Sequence, residues 1–212
     1  MRAVTRIVNS GRLASAVIAA MFTLVLVAGC GGGLAKYDYA SEPDPRNKEL
    51  TLGVGDLVAI NVWENNNLNT EATIRPDGTI TMPLIGDLKA AGETPSSLKT
   101  RIKTKLQDYV KLNAATEITV AVKSWRSYRF TIQGEVSRPG VFTSDQFLRV
   151  ADALALAGGL TRFAKRSEMT LLRRDAKSGE LRHIPLSYED LASGKRPDMN
   201  IFIYPGDTIW VP

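Results

Sequence analysis

Leu52-Gly53-Val54-Gly55-Asp56-Leu57-Val58-Ala59-Ile60-Asn61-Val62-Trp63 reads as a turn running straight into a strand. Gly53-Val54-Gly55-Asp56 has the residues of a tight turn, and Val58, Ile60 and Val62 then recur at every second position, so residues 57–63 present one apolar face. Asp77-Gly78, between Ile74 and Ile80, reads as the turn of a hairpin, because both residues accept positive φ angles. The returning strand is expected to carry Ile80, Met82 and Leu84, and is interrupted by Pro83 and Gly86.

Further along, residues 95–112 have helical spacing. Thr94 is the expected cap, and Pro95 takes a first-turn position whose amide needs no partner. Leu98, Ile102, Leu106, Tyr109 and Val110 mark one face, while Lys99, Arg101, Lys103 and Lys105 solvate most of the rest. Packing of that face on a sheet is favoured over packing on a membrane. Ile118, Val120 and Val122 alternate next, and Tyr128, Phe130 and Ile132 alternate again after Lys123-Ser124, which predicts a half-buried pair of strands. The first unit then ends near residue 124.

A second unit follows. A strand over 130–136 reaches the turn Ser137-Arg138-Pro139-Gly140, and Val141 and Phe142 begin the return. Residues 148–157 predict a short helix closed by Gly158-Gly159. Strands are expected over 169–172 and 181–186, joined by a polar turn over 175–179, and the chain closes with 202–204, Pro205-Gly206-Asp207 and 208–211. Gly55-Asp56 and Gly206-Asp207 each precede an apolar strand, a weak internal echo that favours compact sheet-rich modules over a solenoid.

The N-terminus has a signal peptide's order of parts: basic residues through Arg12, residues 13–28 apolar apart from Ser15 and Thr23, then Gly29-Cys30. That run is about four residues short of the roughly 20 that cross a bilayer. Val27-Ala28-Gly29 before Cys30 resembles the bacterial lipoprotein box. The resemblance implies a diacylglycerol on the Cys30 thiol, cleavage ahead of it, and a further acyl chain such as palmitate on the new amine. A buried structural thiol is disfavoured by the flanking glycines, and a catalytic thiol has no neighbouring base. Cys30 is the only cysteine of the 212 residues, so no intramolecular disulfide exists. Gly31 in place of an Asp implies passage to the outer membrane, on its periplasmic face. Residues 31–48, Gly-rich and then polar, read as an extended tether, with docking of Tyr37 and Tyr39 on the body as the alternative. The 27 Lys and Arg against 22 Asp and Glu become 24 against 22 without Arg2, Arg6 and Arg12, so the basic balance partly describes the leader and does not imply nucleic-acid binding.

Chemistry-bearing motifs are sparse. His183 is the only imidazole, with no metal-ligand spacing around it, and neither glycine cluster has phosphate-loop or dinucleotide spacing. No cofactor and no metal are expected. Asp56, Asp77, Asp87, Glu135 and Asp207 are the candidate carboxylates for glycan hydrolysis, but turn capping accounts for most of them. Trp63, Trp125 and Tyr128 are read as packing residues ahead of sugar-stacking ones.

Taken in order, residues 52–63, Ile74-Arg75-Pro76-Asp77-Gly78-Thr79-Ile80, Met82-Pro83-Leu84-Ile85-Gly86 and Val120-Ala121-Val122 resemble the N-terminal domain of the bacterial polysaccharide export protein family. Gly134-Glu135-Val136-Ser137-Arg138-Pro139-Gly140-Val141-Phe142, then Ala151-Asp152-Ala153-Leu154 through Ala157-Gly158-Gly159-Leu160-Thr161, resemble the soluble-ligand-binding β-grasp module that follows it. Arg173-Arg174 and Pro205 to Pro212 agree with that module. The expectation is an α+β protein of two small sheet-rich modules, the second β-grasp-like. Its parts are a signal peptide (1–29), a lipidated tether (30–48), an export domain (49–126) and a β-grasp domain (127–212). What the resemblance implies is a non-enzymatic lipoprotein, anchored by Cys30 to the periplasmic face of the outer membrane. Such a protein forms a homo-oligomeric ring and guides capsular polysaccharide or exopolysaccharide from an inner-membrane co-polymerase. Long relatives carry a C-terminal membrane-spanning helix; a chain ending at Pro212 is expected to work with a separate outer-membrane β-barrel or as a periplasmic collar. Turn roles fall to Gly55, Asp56, Asp77, Gly78, Pro139, Gly140, Gly158, Gly159, Gly206 and Asp207, and no residue is assigned to the polymer. A glycan-binding or scaffolding lipoprotein and a periplasmic glycosidase or lyase are the other classes.

Overall fold

The computed structural model describes residues 37–111, 117–175 and 178–212. Cys30 and the leader lie outside them. The first module contains β1 (Leu57–Val62), β2 (Thr70–Thr73), β3 (Thr79–Met82), β4 (Gly86–Lys89), α1 (Pro95–Leu106) and β5 (Ile118–Ser124). The second contains β6 (Arg129–Gly134), β7 (Gly140–Thr143), α2 (Val150–Leu156), β8 (Met169–Arg174), β9 (Leu181–Leu186), α3 (Tyr188–Ala192) and β10 (Thr208–Val211).

The alternation at Val58, Ile60 and Val62 becomes the buried face of β1, the centre of an antiparallel sheet of order β2-β1-β5. Register runs Leu57↔Thr73 to Ile60↔Thr70 on one side and Val58↔Val122 to Val62↔Ile118 on the other. α1 starts on a reciprocal cap, in which the Thr94 hydroxyl accepts from the Ser97 amide at 3.2 Å and the Ser97 hydroxyl from the Thr94 amide at 3.0 Å. Its Leu98, Ile102 and Leu106 enter one core with Val58, Ile60, Ile80 and Leu88.

Four expectations change in this module. Residues 75–78 do form a turn, the Gly78 amide donating to the Arg75 carbonyl at 2.8 Å, but the strands beside it join different sheets. β2 is held by β1, whereas β3 pairs with β4 from Thr79↔Lys89 to Met82↔Gly86. Leu84 is not a strand residue: Pro83 cannot donate to a ladder, and Leu84 sits at φ 68° in the β3–β4 turn, 56% exposed. α1 ends at Leu106 and not at 112. Beyond it the amides of Asp108 and Tyr109 bond three residues back, the tightening usual at a helix end, and this turns Tyr109 into solvent. Finally, β5 and β6 do not pair with each other; β5 lies on β1 and keeps Lys123 and Ser124, while β6 belongs to the next sheet.

That next sheet has order β7-β6-β10-β8-β9, with β6 and β10 parallel at Thr131↔Thr208 through Gly134↔Val211 and the other pairs antiparallel. The first and last strands of the module thus lie side by side in the middle, and the helix α2 follows the first hairpin, a β-grasp-like arrangement. Phe130, Ile132, Leu171, Ile184, Ile209 and Val211 are buried, as are Val150, Ala153 and Leu154 of α2. α2 closes in a two-bond cap: Gly158 donates to Ala155 and Gly159 to Leu154, each at 2.9 Å. The short helix α3 is absent from the sequence reading, although Ser187 caps it by accepting from Asp190 at 3.1 Å. Among the described residues no helix is long and apolar enough to cross a membrane.

The tether reading is corrected for residues 37–48, which pack on the second module. Tyr39 is buried and its hydroxyl donates to the Pro185 carbonyl, and Tyr204 reaches back to the Pro43 carbonyl at 3.0 Å. The Arg46 guanidinium lies 4.8 Å over the Phe202 ring. This strap continues directly into the first module, where the Glu49 carboxylate accepts from the Ser96 amide in the first turn of α1 at 2.9 Å.

Candidate functional site

Of the five candidate carboxylates only Asp77 and Asp87 meet, both on the Arg75 guanidinium, at 3.5 and 2.8 Å; the other three are engaged elsewhere. Asp77 accepts from the Thr79 amide at 2.9 Å and hydroxyl at 2.6 Å, and Asp87 from the Thr81 hydroxyl at 2.6 Å and Arg75 at 2.8 Å. Glu135 accepts from the Thr161 hydroxyl at 2.6 Å. Ser137 and Arg138, before Pro139 and Gly140, donate their amides to the Gly159 and Ala157 carbonyls at the end of α2.

Asp56 and Asp207 are the two buried members, and the Gly-Asp echo proves to be one turn built twice. Gly55 and Gly206 have φ of 92° and 87°, conformations that suit glycine. The Asp56 amide donates to the Gly53 carbonyl while its Oδ2 accepts from the Gly53 amide at 2.7 Å; Asp207 treats Tyr204 in the same way, at 2.8 Å. The rest of each carboxylate does different work. Asp56 accepts from the Ser127 amide at 2.7 Å and hydroxyl at 2.8 Å, so it ties the first module's turn to the connection between β5 and β6.

Asp207 instead receives Arg173, the residue that organises the second module's buried polar centre. Met169, Leu171 and Arg173 share one strand parity, so the cation is carried onto the core face. Its Nε lies 3.0 Å from Asp207 Oδ1 and its Nη2 2.5 Å from Oδ2; Nη2 also donates to the Phe202 carbonyl at 2.6 Å, and Nη1 to Glu42 at 2.6 Å. The guanidinium stands 4.4 Å over the Tyr204 ring. Glu42, from the strap, is also bonded by the Tyr37 hydroxyl and by Arg182 at 3.0 Å. Burial pushes the Glu42 carboxyl up, but the Tyr37 hydrogen bond and the two guanidinium groups outweigh it and hold it below its ordinary value. The Tyr37 hydroxyl is pushed up to about 12 by burial and by its bond to Glu42. Two cations and two carboxylates balance, as a buried charged cluster requires. Sequence reading missed this cluster; the signal was a cation at an inward position of an otherwise apolar strand.

Glu42→Ala is therefore expected to loosen the strap selectively. Removing one partner of a buried ion pair costs about 3 kcal/mol or more, which corresponds to roughly a hundredfold increase in local opening. Tryptic cleavage after Arg46 and Lys48, followed by mass spectrometry, would show it; unchanged cleavage would contradict the clasp.

The aromatic candidates separate. Trp125 stacks on Tyr128 at 4.5 Å between ring centroids and both are buried; the Tyr128 hydroxyl donates to Ile203 at 2.9 Å and accepts from the Leu148 amide at 3.1 Å. Trp63, by contrast, is 66% exposed. It borders a depression of about 280 Å³ with Asn61, Asn66, Asn69, Glu117 and Thr119. A second depression, of about 320 Å³, shares Glu117 and Thr119 and extends to Glu49, Ser96 and Lys99. His183 is exposed on β9 opposite Leu172, and among the described residues no cluster of His, Cys, Asp and Glu could hold a metal ion.

Residues 44–123 match the model of the polysaccharide biosynthesis/export protein family and residues 129–185 that of the SLBB domain. Both are structural and transport modules, not catalytic ones. The chain is similar to the exopolysaccharide production protein ExoF of Rhizobium meliloti (strain 1021), 29% identical over 73% of this chain and 37% of that protein. It is similar to the EPS I polysaccharide export outer membrane protein EpsA of Ralstonia solanacearum, 28% identical over 51% of this chain and 34% of the relative. Similarity to the capsule polysaccharide export protein BexD of Haemophilus influenzae is 24% identity over 74% of this chain and 42% of the relative. The chain thus spans less than half the length of these relatives.

Proposed function

We propose, for a chain that carries the two-domain export-plus-SLBB architecture typical of bacterial polysaccharide export proteins, that it is a lipid-anchored component of a capsule or exopolysaccharide export complex. It sits on the periplasmic face of the outer membrane, held by acyl chains on Cys30. There it assembles into a homo-oligomeric ring that receives polymer from an inner-membrane co-polymerase and hands it to an outer-membrane β-barrel. The observation that carries this reading is the consecutive match of both modules, together with relatives named for polysaccharide and capsule export. Two acyl chains anchor a protein stably where a single chain gives only marginal binding, since each buried methylene contributes about 0.8 kcal/mol.

Anchor and ring are tested on the full chain purified from membranes in detergent. The reading expects a mature N-terminal peptide that begins at acylated Cys30, a native mass several times that of one chain, and co-purification of a polysaccharide co-polymerase and a β-barrel. In Cys30→Ser cells the protein leaves the outer-membrane fraction and export falls. An unmodified Cys30 and a monomer would contradict both parts.

A further inference from the structure

Trp63 is one of the aromatic residues that the core leaves exposed. Trp63 follows directly on β1, on the outer face that also carries Asn61, and its amide donates to the Glu117 carbonyl at 2.9 Å, so the base of the indole is fixed. The next residue, Glu64, has φ of 64°, a left-handed conformation that non-glycine residues adopt at a cost and that recurs at binding sites. Leu68, buried in the core, plugs the following loop down. Within that loop Asn69 accepts from the Val62 amide at 2.8 Å and directs its own amide at Asn66, 3.5 Å away. Asn61 and Thr119 face each other in register across β1 and β5, and neither side chain has a hydrogen-bond partner among the described residues. The one carboxylate in the lining, Glu117, is already paired with Lys99.

An exposed indole alone says little. What distinguishes Trp63 is an aromatic side chain, anchored at its backbone, at the rim of a polar hollow in which the Asn61 amide and the Thr119 hydroxyl have no partner among the described residues and Glu117 is paired with Lys99. Other exposed aromatics lack that setting; Phe163, for example, is covered by the Arg162 guanidinium at 4.6 Å. In a larger hollow beside α2, Arg138 donates to the Leu156 carbonyl and Asp152 caps Arg149.

From these observations we infer that Trp63, with Asn61, Asn66 and Thr119, forms a binding subsite for one uncharged sugar unit of a polysaccharide. The C–H face of a pyranose ring lies on the electron-rich indole face, and its hydroxyls bond the amides and Thr119. The second depression, which shares Glu117 and Thr119 with the first, takes the adjoining unit. This inference rests on the export reading and adds to it where the polymer touches the chain.

The test uses the full chain in detergent and affinity electrophoresis in gels that contain the polysaccharide isolated from a strain carrying this gene. Wild-type protein is retarded by the polymer, with little change between low and high salt. Trp63→Ala weakens retention about tenfold, Trp63→Phe keeps more of it than Ala does, and Asn66→Ala is intermediate. The urea unfolding midpoint and native mass stay unchanged in all three. Equal retention of wild type and Trp63→Ala, no retention of the wild type, or a Trp63→Ala protein that changes its native mass while binding normally would each overturn the subsite. The last result would make this face a contact between copies. Because loss of surface polymer in a deletion strain is scored separately, the subsite can fail while the export reading stands.

Discussion

Arg173→Met is expected to destabilise the full chain by about 3–5 kcal/mol, the cost of stranding buried charge. The substitution keeps an unbranched apolar stem, so little packing is lost. What disappears are the donors to Asp207, Glu42 and the Phe202 carbonyl, all buried or nearly so. Two carboxylates then remain in the core with Arg182 as the nearest cation. For a protein of this size the loss lowers the melting temperature by about 6–20 °C. The mechanism has its own signature. If stranded charge is the cause, the triple variant Glu42→Gln, Arg173→Met, Asp207→Asn recovers at least half of the loss, because neutral side chains remove the stranded charge and Asn can still accept from Tyr204. Urea unfolding followed by tryptophan fluorescence measures both. A single-variant loss below about 1 kcal/mol, the range of exposed pairs, would show that the cluster is solvated and not a buried clasp.

Gly134→Ala is expected to cost roughly 2–5 kcal/mol. Gly134 ends β6 at φ of 92°, and a Cβ there would lie 1.9 Å from the Val211 carbonyl oxygen and 2.8 Å from its carbon. Those are backbone atoms of the parallel partner strand, so the obstacle cannot rotate away. The left-handed conformation accounts for about 1–2 kcal/mol, and displacement of β10 adds about 1–3 kcal/mol. Gly159→Ala is the control, since its φ is 83° but nothing stands within 4 Å of a new Cβ; its cost is about 1–2 kcal/mol. Equal effects at the two positions would mean that backbone strain alone matters and that close approach of β6 and β10 does not.

These two residues also show where sequence reasoning reaches and where it stops. Local signals were strong at Val58, Ile60 and Val62, at the Thr94 cap, and at Gly158-Gly159, because period, capping chemistry and backbone freedom are properties of neighbours in the chain. Pairing partners are not. Asp77-Gly78 does form a turn, yet nothing local says that β2 belongs to β1 and β3 to β4. The same holds for β6, whose partners β7 and β10 are separated by most of the module. The strap was harder still. Residues 37–48 lack any periodic pattern because they are held by single anchors, Tyr39, Glu42 and Tyr204, that meet residues more than a hundred positions away. By residue type alone Trp63 reads as a packing residue, and its exposure beside Asn66 and Thr119 is what separates it from Trp125.

Surface and periplasmic polysaccharide in a clean deletion strain, complemented with the wild-type gene or with Cys30→Ser, tests the role in polysaccharide export itself. Surface polymer is expected to be lost in the deletion, restored by the wild-type gene, and restored only in part by the non-acylatable form. Unchanged surface polymer, under conditions in which the strain's export loci are expressed, would contradict that role and leave a glycan-binding envelope lipoprotein in its place.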